Sequence, residues 1–146
     1  MILVDTSVWS LSLRRTNEKL SASEEMIRSE LIDLIQNNQA VILGVIKQEL
    51  LSGIRFRNQF QKLKEKLSFF PDLEILSEDF EKAAEFYNSC KAKGVTGTSI
   101  DFLICSVSHR LQYPVFTLDR DFENYRKILP IELYLSENDF QKKKKK

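Results

Sequence analysis

Five acidic residues lie where carboxylates could be brought together to hold a metal ion. Asp5 directly follows a short apolar run at residues 2–4. Asp119 comes two residues after Thr117, which ends another apolar run. The other three acids, on or beside predicted helices, are Glu49, Asp101 and Asp121. Crowded carboxylates repel one another unless a cation neutralises them, and oxygen ligands of this kind suit Mg²⁺ or Mn²⁺. The pattern therefore predicts a divalent metal site.

Such a site is suited to hydrolysis of a phosphodiester bond. A bound divalent metal lowers the pKa of a water molecule and polarises a phosphoryl oxygen. The chain has a single histidine, His109, and two isolated cysteines, Cys90 and Cys105. These residues do not predict a Ser-His-Asp arrangement or a zinc site. We expect the cysteines to be small buried or half-buried side chains.

Predicted strands and helices alternate along the chain. Five short apolar runs predict strands, at residues 2–4, 41–43, 73–76, 114–117 and 131–135. Between them, apolar residues recur at helical spacing, with Ser, Asn, Gly or Pro near the expected helix ends. This alternation predicts a mostly parallel sheet with helices on both faces. Ligands of such sheets bind beyond the carboxyl ends of the strands, which is where the five acids are expected.

The helical positions of Glu49 and Asp101 support this expectation. At about 100° per residue, each acid lies roughly a quarter turn from the centre of its helix's apolar stripe. Both side chains are therefore expected at the border between core and solvent. Each acid alone also has a simpler explanation. The aspartates could cap helices, form turns or interact with a helix dipole, and Glu49 could be a solvated helix residue.

Composition and charge exclude several classes of protein. The chain has 146 residues, of which 42% are hydrophobic and 29% charged, as is typical of one globular domain. The net charge is +1, but without the five lysines at 142–146 the chain has 17 basic and 21 acidic residues, a net charge of −4. The apolar runs are far shorter than the ~20 residues of a membrane span, and no signal segment is predicted. We expect a cytoplasmic protein with one domain over 1–135 and a flexible basic tail over 136–146.

Four segments together resemble the PIN-domain toxins of the VapC type. They are ILVDTSVW at 2–9, IKQELLSG at 46–53, SIDFLI at 99–104 and FTLDRDF at 116–122. Each segment alone is weakly specific, whereas the order and spacing of all four carry the resemblance over residues 1–135. The resemblance implies a three-layer α/β/α sandwich around a mostly parallel sheet of about five strands. It also implies an Mg²⁺- or Mn²⁺-dependent endoribonuclease from a bacterial or archaeal toxin-antitoxin pair.

The resemblance implies roles for individual residues. The acids that match the family's four by position, and are predicted to be catalytic, are Asp5, Glu49, Asp101 and Asp119. The predicted metal ligands are Asp5, Asp101, Asp119 and Asp121. Asp121 matches an additional acid whose role varies between a ligand and a supporting group. Thr6 and Thr117 match hydroxyl positions that could hold a carboxylate or a metal-bound water in place.

The resemblance also implies partners. They are a structured RNA substrate such as tRNA, a second copy of the chain in a homodimer, and a VapB-like antitoxin whose tail occupies the active-site groove. Basic residues could contact RNA phosphates or equally lie on solvated helix faces; the candidates are Arg14, Arg15, Arg55 and Arg57. The phenylalanines expected in the core or at a dimer or antitoxin surface are Phe56, Phe60, Phe69 and Phe70.

Three other classes of protein share part of this pattern. A haloacid dehalogenase phosphatase needs a second Asp where this chain has Ser7, and a receiver domain needs an Asp after the third strand, where it has Ser77. The stronger alternative is a module that keeps the fold and metal pocket but binds RNA or a partner without cutting. The presence of all the acids favours catalysis.

Overall fold

The computed structural model describes residues 1–13 and 19–135, which contain three strands and seven helices. The strands are β1 (Ile2–Val4), β2 (Ala40–Val41) and β3 (Val115–Phe116). The helices are α1 (Thr6–Leu13), α2 (Ala22–Gln36), α3 (Gly44–Leu51), α4 (Arg57–Leu67), α5 (Ser77–Ala92), α6 (Ser99–Leu111) and α7 (Asp121–Arg126). Among these helices, none combines the length and apolar character that a membrane span requires. The chain divides into two compact units, Met1–Glu74 and Ile75–Lys146.

The first unit is built on a parallel strand pair, which confirms the predicted α/β fold with a parallel sheet. β1 and β2 run in parallel, with Ile2 opposite Ala40 and Leu3 opposite Val41. Helix α1 leaves the end of β1 and packs against α2 and α3. Trp9 fixes this connection, because its indole N–H donates to the Val4 carbonyl at 3.0 Å inside the core.

Helix α2 begins with a capping box. Ser21 is the N-cap, and its hydroxyl accepts the Glu24 backbone N–H at 3.2 Å. The Glu24 side chain accepts the Ser21 N–H in return, at 3.0 Å. This reciprocal pair satisfies two backbone donors that the first turn of a helix leaves open, so α2 begins at a defined residue.

The second unit is organised around the packing of α5 on α6. Seven consecutive residues of α6, from Phe102 to Ser108, are buried. Cys90 of α5 and Cys105 of α6 are buried free cysteines, as the sequence predicts. Helix α6 also contacts β3, so the acid at the start of α6 and the acids that follow β3 belong to one packed unit.

The prediction of about five strands was wrong, since the described residues contain three. A single parallel bridge joins Ile42 to Asp72, just before the predicted strand at 73–76. The Leu76 N–H bonds instead to the Asp79 carboxylate, at 2.8 Å, at the start of α5. Residues 131–135 likewise add one bridge, between Leu133 and Val115. Leu135 has a φ of 60°, outside the extended range that a strand needs.

Candidate metal centre

Three of the predicted acids come together in the second unit. Asp101, Asp119 and Asp121 each offer one carboxylate oxygen, and these atoms all lie within 4.8 Å of one another. Asp101 is half-buried, whereas Asp121 is exposed. An all-oxygen donor set suits a hard cation such as Mg²⁺ or Mn²⁺, which can retain waters for its other positions. The three residues are called the acid cluster below.

The first turn of α6 positions Asp101. Thr98 is the N-cap of α6, and its hydroxyl accepts the Asp101 backbone N–H at 3.1 Å. This bond fixes the backbone at Asp101 and satisfies one open donor of the helix end. The positive end of the helix dipole also favours a carboxylate there. Asp101 is therefore set in the acid cluster by the same interactions that start the helix.

The turn between β3 and α7 positions the other two acids. The Thr117 hydroxyl accepts the Asp119 N–H at 3.0 Å, and Asp119 Oδ1 accepts the Asp121 N–H at 2.9 Å. Side-chain oxygens that accept backbone N–H groups two residues on are typical of tight turns. The predicted supporting residue Thr117 thus holds the backbone of the turn, and Asp121 becomes the first residue of α7.

Tyr125 contacts the acid cluster from within the core. Its hydroxyl donates to Asp101 Oδ2 at 2.8 Å, although the residue is fully buried. The pKa of Tyr125 is raised far above its usual range, and burial is the largest cause. The hydrogen bond to Asp101 raises it further, as do the nearby negative charges of Asp101, Asp121 and Asp119. The hydroxyl therefore keeps its proton and remains a hydrogen-bond donor.

The first unit places hydroxyl donors beside its two predicted acids. Asp5 is only 8% exposed, and its Oδ2 accepts a hydrogen bond from the Ser7 hydroxyl at 3.0 Å. Glu49 is half-buried on α3, and its Oε2 accepts from the Thr6 hydroxyl at 3.0 Å. Thr6 and Ser7 both lie in the first turn of α1. One helix start thus orients both carboxylates within this unit.

Several of the basic and aromatic candidates that the structure describes lie on the surface of the first unit. Arg55 and Arg57 are exposed and flank Phe56, which is 68% exposed. Phe69 is 82% exposed. Phe56 and Phe69 are therefore not in the core, which was one of the two predicted positions for them. They lie at the two ends of α4, where the helix meets its connecting loops. Phe70 does pack inward, with its ring centroid 4.8 Å from that of Trp9. Arg14 and Arg15, the other two candidate RNA contacts, lie outside the described residues, as does the tail at 136–146.

Sequence reasoning missed two residues that contact the acids. Ser7 could have been found, because a serine two residues after an aspartate at a helix start often bonds to it. No local pattern links Tyr125 to Asp101, because the two residues are 24 positions apart and the spacing of α7 places Tyr125 on its apolar face. Its role depends on how α7 packs, which no local pattern encodes.

Comparison with known proteins identifies the class to which the chain belongs. Residues 2–128 match the family model described as PIN domain, so the chain is a member of the PIN domain family. No curated protein matches the chain in sequence.

Three solved structures have similar folds at low sequence identity. FitAcB from Neisseria gonorrhoeae is 19% identical with a TM-score of 0.72, over 92% of this chain and 97% of that one. VapBC2 from Rickettsia felis, bound to a DNA fragment from their promoter, is 18% identical with a TM-score of 0.72, over 92% and 98%. A toxin-antitoxin complex from Klebsiella pneumoniae is 17% identical with a TM-score of 0.59, over 84% and 90%. These similarities show that the chain has the PIN fold.

Proposed function

We propose that this protein is a divalent-metal-dependent endoribonuclease and the toxin of a toxin-antitoxin pair. The observation that carries the proposal is the acid cluster, in which three carboxylate oxygens lie within 4.8 Å of one another in a chain of the PIN family. Carboxylates at this separation repel one another, and a divalent cation bound between them would relieve that repulsion. The fold similarity to toxin-antitoxin structures supports the toxin assignment.

The acid cluster fits Mg²⁺ or Mn²⁺ by the chemistry of its donors. Asp101, Asp119 and Asp121 would hold the ion, and Asp5 is the proposed further ligand. A bound divalent ion supplies a nucleophilic water at neutral pH and charge stabilisation at the phosphoryl group. The chain's own residues fix the carboxylates in place: Thr98 and Thr117 set the backbone at the cluster, and Ser7 orients Asp5.

Glu49 is the proposed fourth catalytic acid. Its Oε2 is held by the Thr6 hydroxyl at 3.0 Å, which leaves Oε1 as an acceptor for a water proton or a metal-bound group. Thr6 is therefore proposed to support catalysis through Glu49.

The proposed substrate is a structured RNA such as tRNA. The exposed side chains of Arg55 and Arg57 would contact its phosphates, which contributes affinity but no sequence selectivity. A VapB-like antitoxin would inhibit the enzyme by occupying its substrate groove. We propose a homodimer in the cytoplasm as the state in which the toxin acts.

Amide substitutions of the catalytic acids test the proposal. Asp5→Asn, Glu49→Gln, Asp101→Asn and Asp119→Asn each remove a charge with little change in volume. We expect each to lower the rate of RNA cleavage by about 100-fold or more, while circular dichroism shows a folded protein. The matched controls are Asp33→Asn on α2 and Glu65→Gln on α4, both exposed, and they should cleave at the wild-type rate.

Two outcomes would contradict the enzyme assignment. Wild-type rates in the amide variants would remove the four acids from the mechanism. Tight RNA binding without cleavage by the wild-type protein, with either Mg²⁺ or Mn²⁺ present, would support the alternative of a non-catalytic binding module.

A further inference from the structure

The hydroxyl of Tyr125 connects the two elements that carry the acid cluster. Asp101 lies in the first turn of α6, whereas Asp121 begins α7 and Tyr125 lies one turn further along it. The bond from the Tyr125 hydroxyl to Asp101 Oδ2, at 2.8 Å, therefore joins α7 directly to the acid of α6. The acids of the cluster are set relative to one another by this bond as well as by their own turns.

The position of the hydroxyl is fixed by core packing. The Tyr125 ring lies with its centroid 5.0 Å from that of Phe102 and 5.1 Å from that of Phe122. Tyr125 and Phe122 are fully buried, and Phe102 is 1% exposed. Aromatic rings in close-packed surroundings have a single well-defined orientation. The packing of Phe102 and Phe122 therefore holds the Tyr125 ring, and with it the hydroxyl oxygen, in place beside Asp101.

Gly97 lies directly against the Tyr125 hydroxyl. A Cβ atom at this position would overlap Tyr125 Oη, and it would lie 2.8 Å from Tyr125 Cζ and 3.0 Å from Phe102 Cε2. All of these atoms belong to side chains held in the core. Glycine is thus required at position 97 because the tyrosine occupies the space that a side chain would need.

We propose that Tyr125 is a positioning residue for the metal centre: its hydroxyl, held against Gly97, orients the Asp101 carboxylate toward Asp119 and Asp121. This inference rests on the proposed function, because it assigns the acid cluster a metal ion. Three carboxylates that repel one another would otherwise rotate apart. A neutral donor anchors one oxygen of Asp101 without cancelling the charge that attracts the cation. Groups that orient metal ligands in this way typically contribute 10- to 100-fold to metal affinity or activity.

Binding of Mn²⁺ alone, measured by electron paramagnetic resonance of the free ion, tests this role without RNA. Tyr125→Phe removes only the hydroxyl and keeps the ring. We expect it to weaken Mn²⁺ binding by about 10-fold or more. Cleavage by this variant should be slow at low Mn²⁺ and recover toward the wild-type rate at high Mn²⁺, with an unchanged KM for RNA. A purely structural role would not produce this dependence on metal concentration.

Two control variants separate positioning from loss of stability. Tyr87→Phe makes the same substitution at a partly exposed tyrosine whose ring also packs on Phe102, with centroids 5.7 Å apart. Ser106→Ala removes a buried hydroxyl that lies 2.8 Å from the Asp79 carbonyl, on the contact with α5. Both controls should bind Mn²⁺ like the wild type, even if Ser106→Ala lowers the Tm.

Gly97→Ala tests the same contact from the other side. It should weaken Mn²⁺ binding as Tyr125→Phe does, because the added methyl group displaces the hydroxyl.

The outcomes distinguish this inference from the proposed function. Equal Mn²⁺ affinity in the wild type and Tyr125→Phe overturns the positioning role, whatever the nuclease activity. A wild type that binds Mn²⁺ without cleaving RNA contradicts the nuclease assignment, and the Mn²⁺ comparison still decides the role of Tyr125. A wild type that binds no Mn²⁺ contradicts both.

Discussion

Hydroxyl groups hold three of the carboxylates that the sequence singles out. Ser7 donates to Asp5, and Thr6 donates to Glu49. Tyr125 donates to Asp101 from a different element of the chain. A neutral donor orients a carboxylate while leaving its negative charge intact. The same structural principle therefore serves both units, and it suits acids that must attract a cation or accept a proton.

Replacement of Thr6 by valine should lower catalysis without unfolding the protein. Thr6→Val keeps the shape of the side chain but removes the donor to Glu49, so the glutamate loses its fixed orientation. We expect the rate of RNA cleavage at saturating metal to fall by about 10-fold, with the KM for RNA unchanged. Thr96→Val, at an exposed threonine between α5 and α6, is the matched control. If both variants cleave equally fast, Thr6 has no role in catalysis.

At the scale of single residues, the sequence predicted the acids but not every side chain that donates a hydrogen bond to them. Asp101 and Glu49 are half-buried, as their positions beside apolar stripes predict, because helical periodicity fixes which face a residue occupies. The contact of Tyr125 with Asp101 could not be predicted, since it depends on the packing of α7 in three dimensions. Which acids act together in catalysis stays a prediction of the family pattern.

At the scale of elements, Asp79 and Arg110 join the start of α5 to the end of α6. Arg110 Nε donates to Asp79 Oδ1 at 2.8 Å and Arg110 Nη2 to Oδ2 at 2.9 Å. Burial raises the pKa of Asp79, but the bonds from Arg110 and the Leu76 N–H, together with the Arg110 charge, outweigh burial and lower it overall. The acid is therefore ionised at neutral pH and stabilises the packing of the two helices.

Substitution of Asp79 should destabilise the protein in a pH-dependent way. The pKa of Asp79 is lower in the folded state, so its contribution is complete above the unfolded-state pKa of about 3.9. That contribution is lost as the pH falls through the folded-state pKa. Asp79→Asn should lower the free energy of unfolding at pH 7 by about 2 to 3 kcal/mol, below the range for fully buried pairs because the Arg110 side chain is 28% exposed.

Urea denaturation at several pH values measures this effect. The difference between wild type and Asp79→Asn should begin to shrink below about pH 4, where Asp79 of the unfolded chain takes up its proton, and should disappear below the lower pKa of the folded state. Asp33→Asn on α2 serves as the exposed control and should change stability little. Equal stabilities at pH 7, or a difference that grows in acid, would show that the ion pair does not stabilise the helix packing.

Helices and strands were predicted well where the apolar pattern extends over many residues, and poorly where it covers only four or five. Helices α2, α5 and α6 follow from repeated apolar spacing and recognisable caps, such as the Ser21–Glu24 capping box. Gly94, with a φ of 77°, follows α5 as the expected C-terminal glycine. The runs at 73–76 and 131–135 are mostly apolar, but the structure has only one bridge beside the first, at Asp72, and one within the second, at Leu133. A run of four or five residues cannot show whether a partner strand extends far enough to pair with all of it.

At the scale of the whole molecule, the near-zero net charge conceals two different contributions. The five lysines at 142–146 bring the chain from −4 to +1. Without them the protein carries more acidic than basic residues, yet its proposed substrate is a polyanion. A divalent cation would locally reduce the negative charge of the acid cluster, and the lysines would add attraction for phosphates that does not depend on sequence.

Replacement of the five lysines by glutamines should therefore weaken RNA binding but not catalysis. We expect a lower affinity and a shallower dependence of affinity on salt, since each lost phosphate contact removes about 0.7 to 0.9 from the logarithmic slope. The rate at saturating RNA should not change. Filter binding at several salt concentrations gives the slope. An unchanged slope would show that these lysines make no phosphate contacts.

The most direct test of the account is cleavage of structured RNA by the purified protein under control of the metal. Wild-type protein should cleave with Mg²⁺ or Mn²⁺, stop with EDTA and resume when excess Mn²⁺ is added, whereas Asp101→Asn should stay inactive throughout. Cleavage by the wild type that persists in EDTA, or equal cleavage by Asp101→Asn, would contradict a metal-dependent nuclease built on the acid cluster.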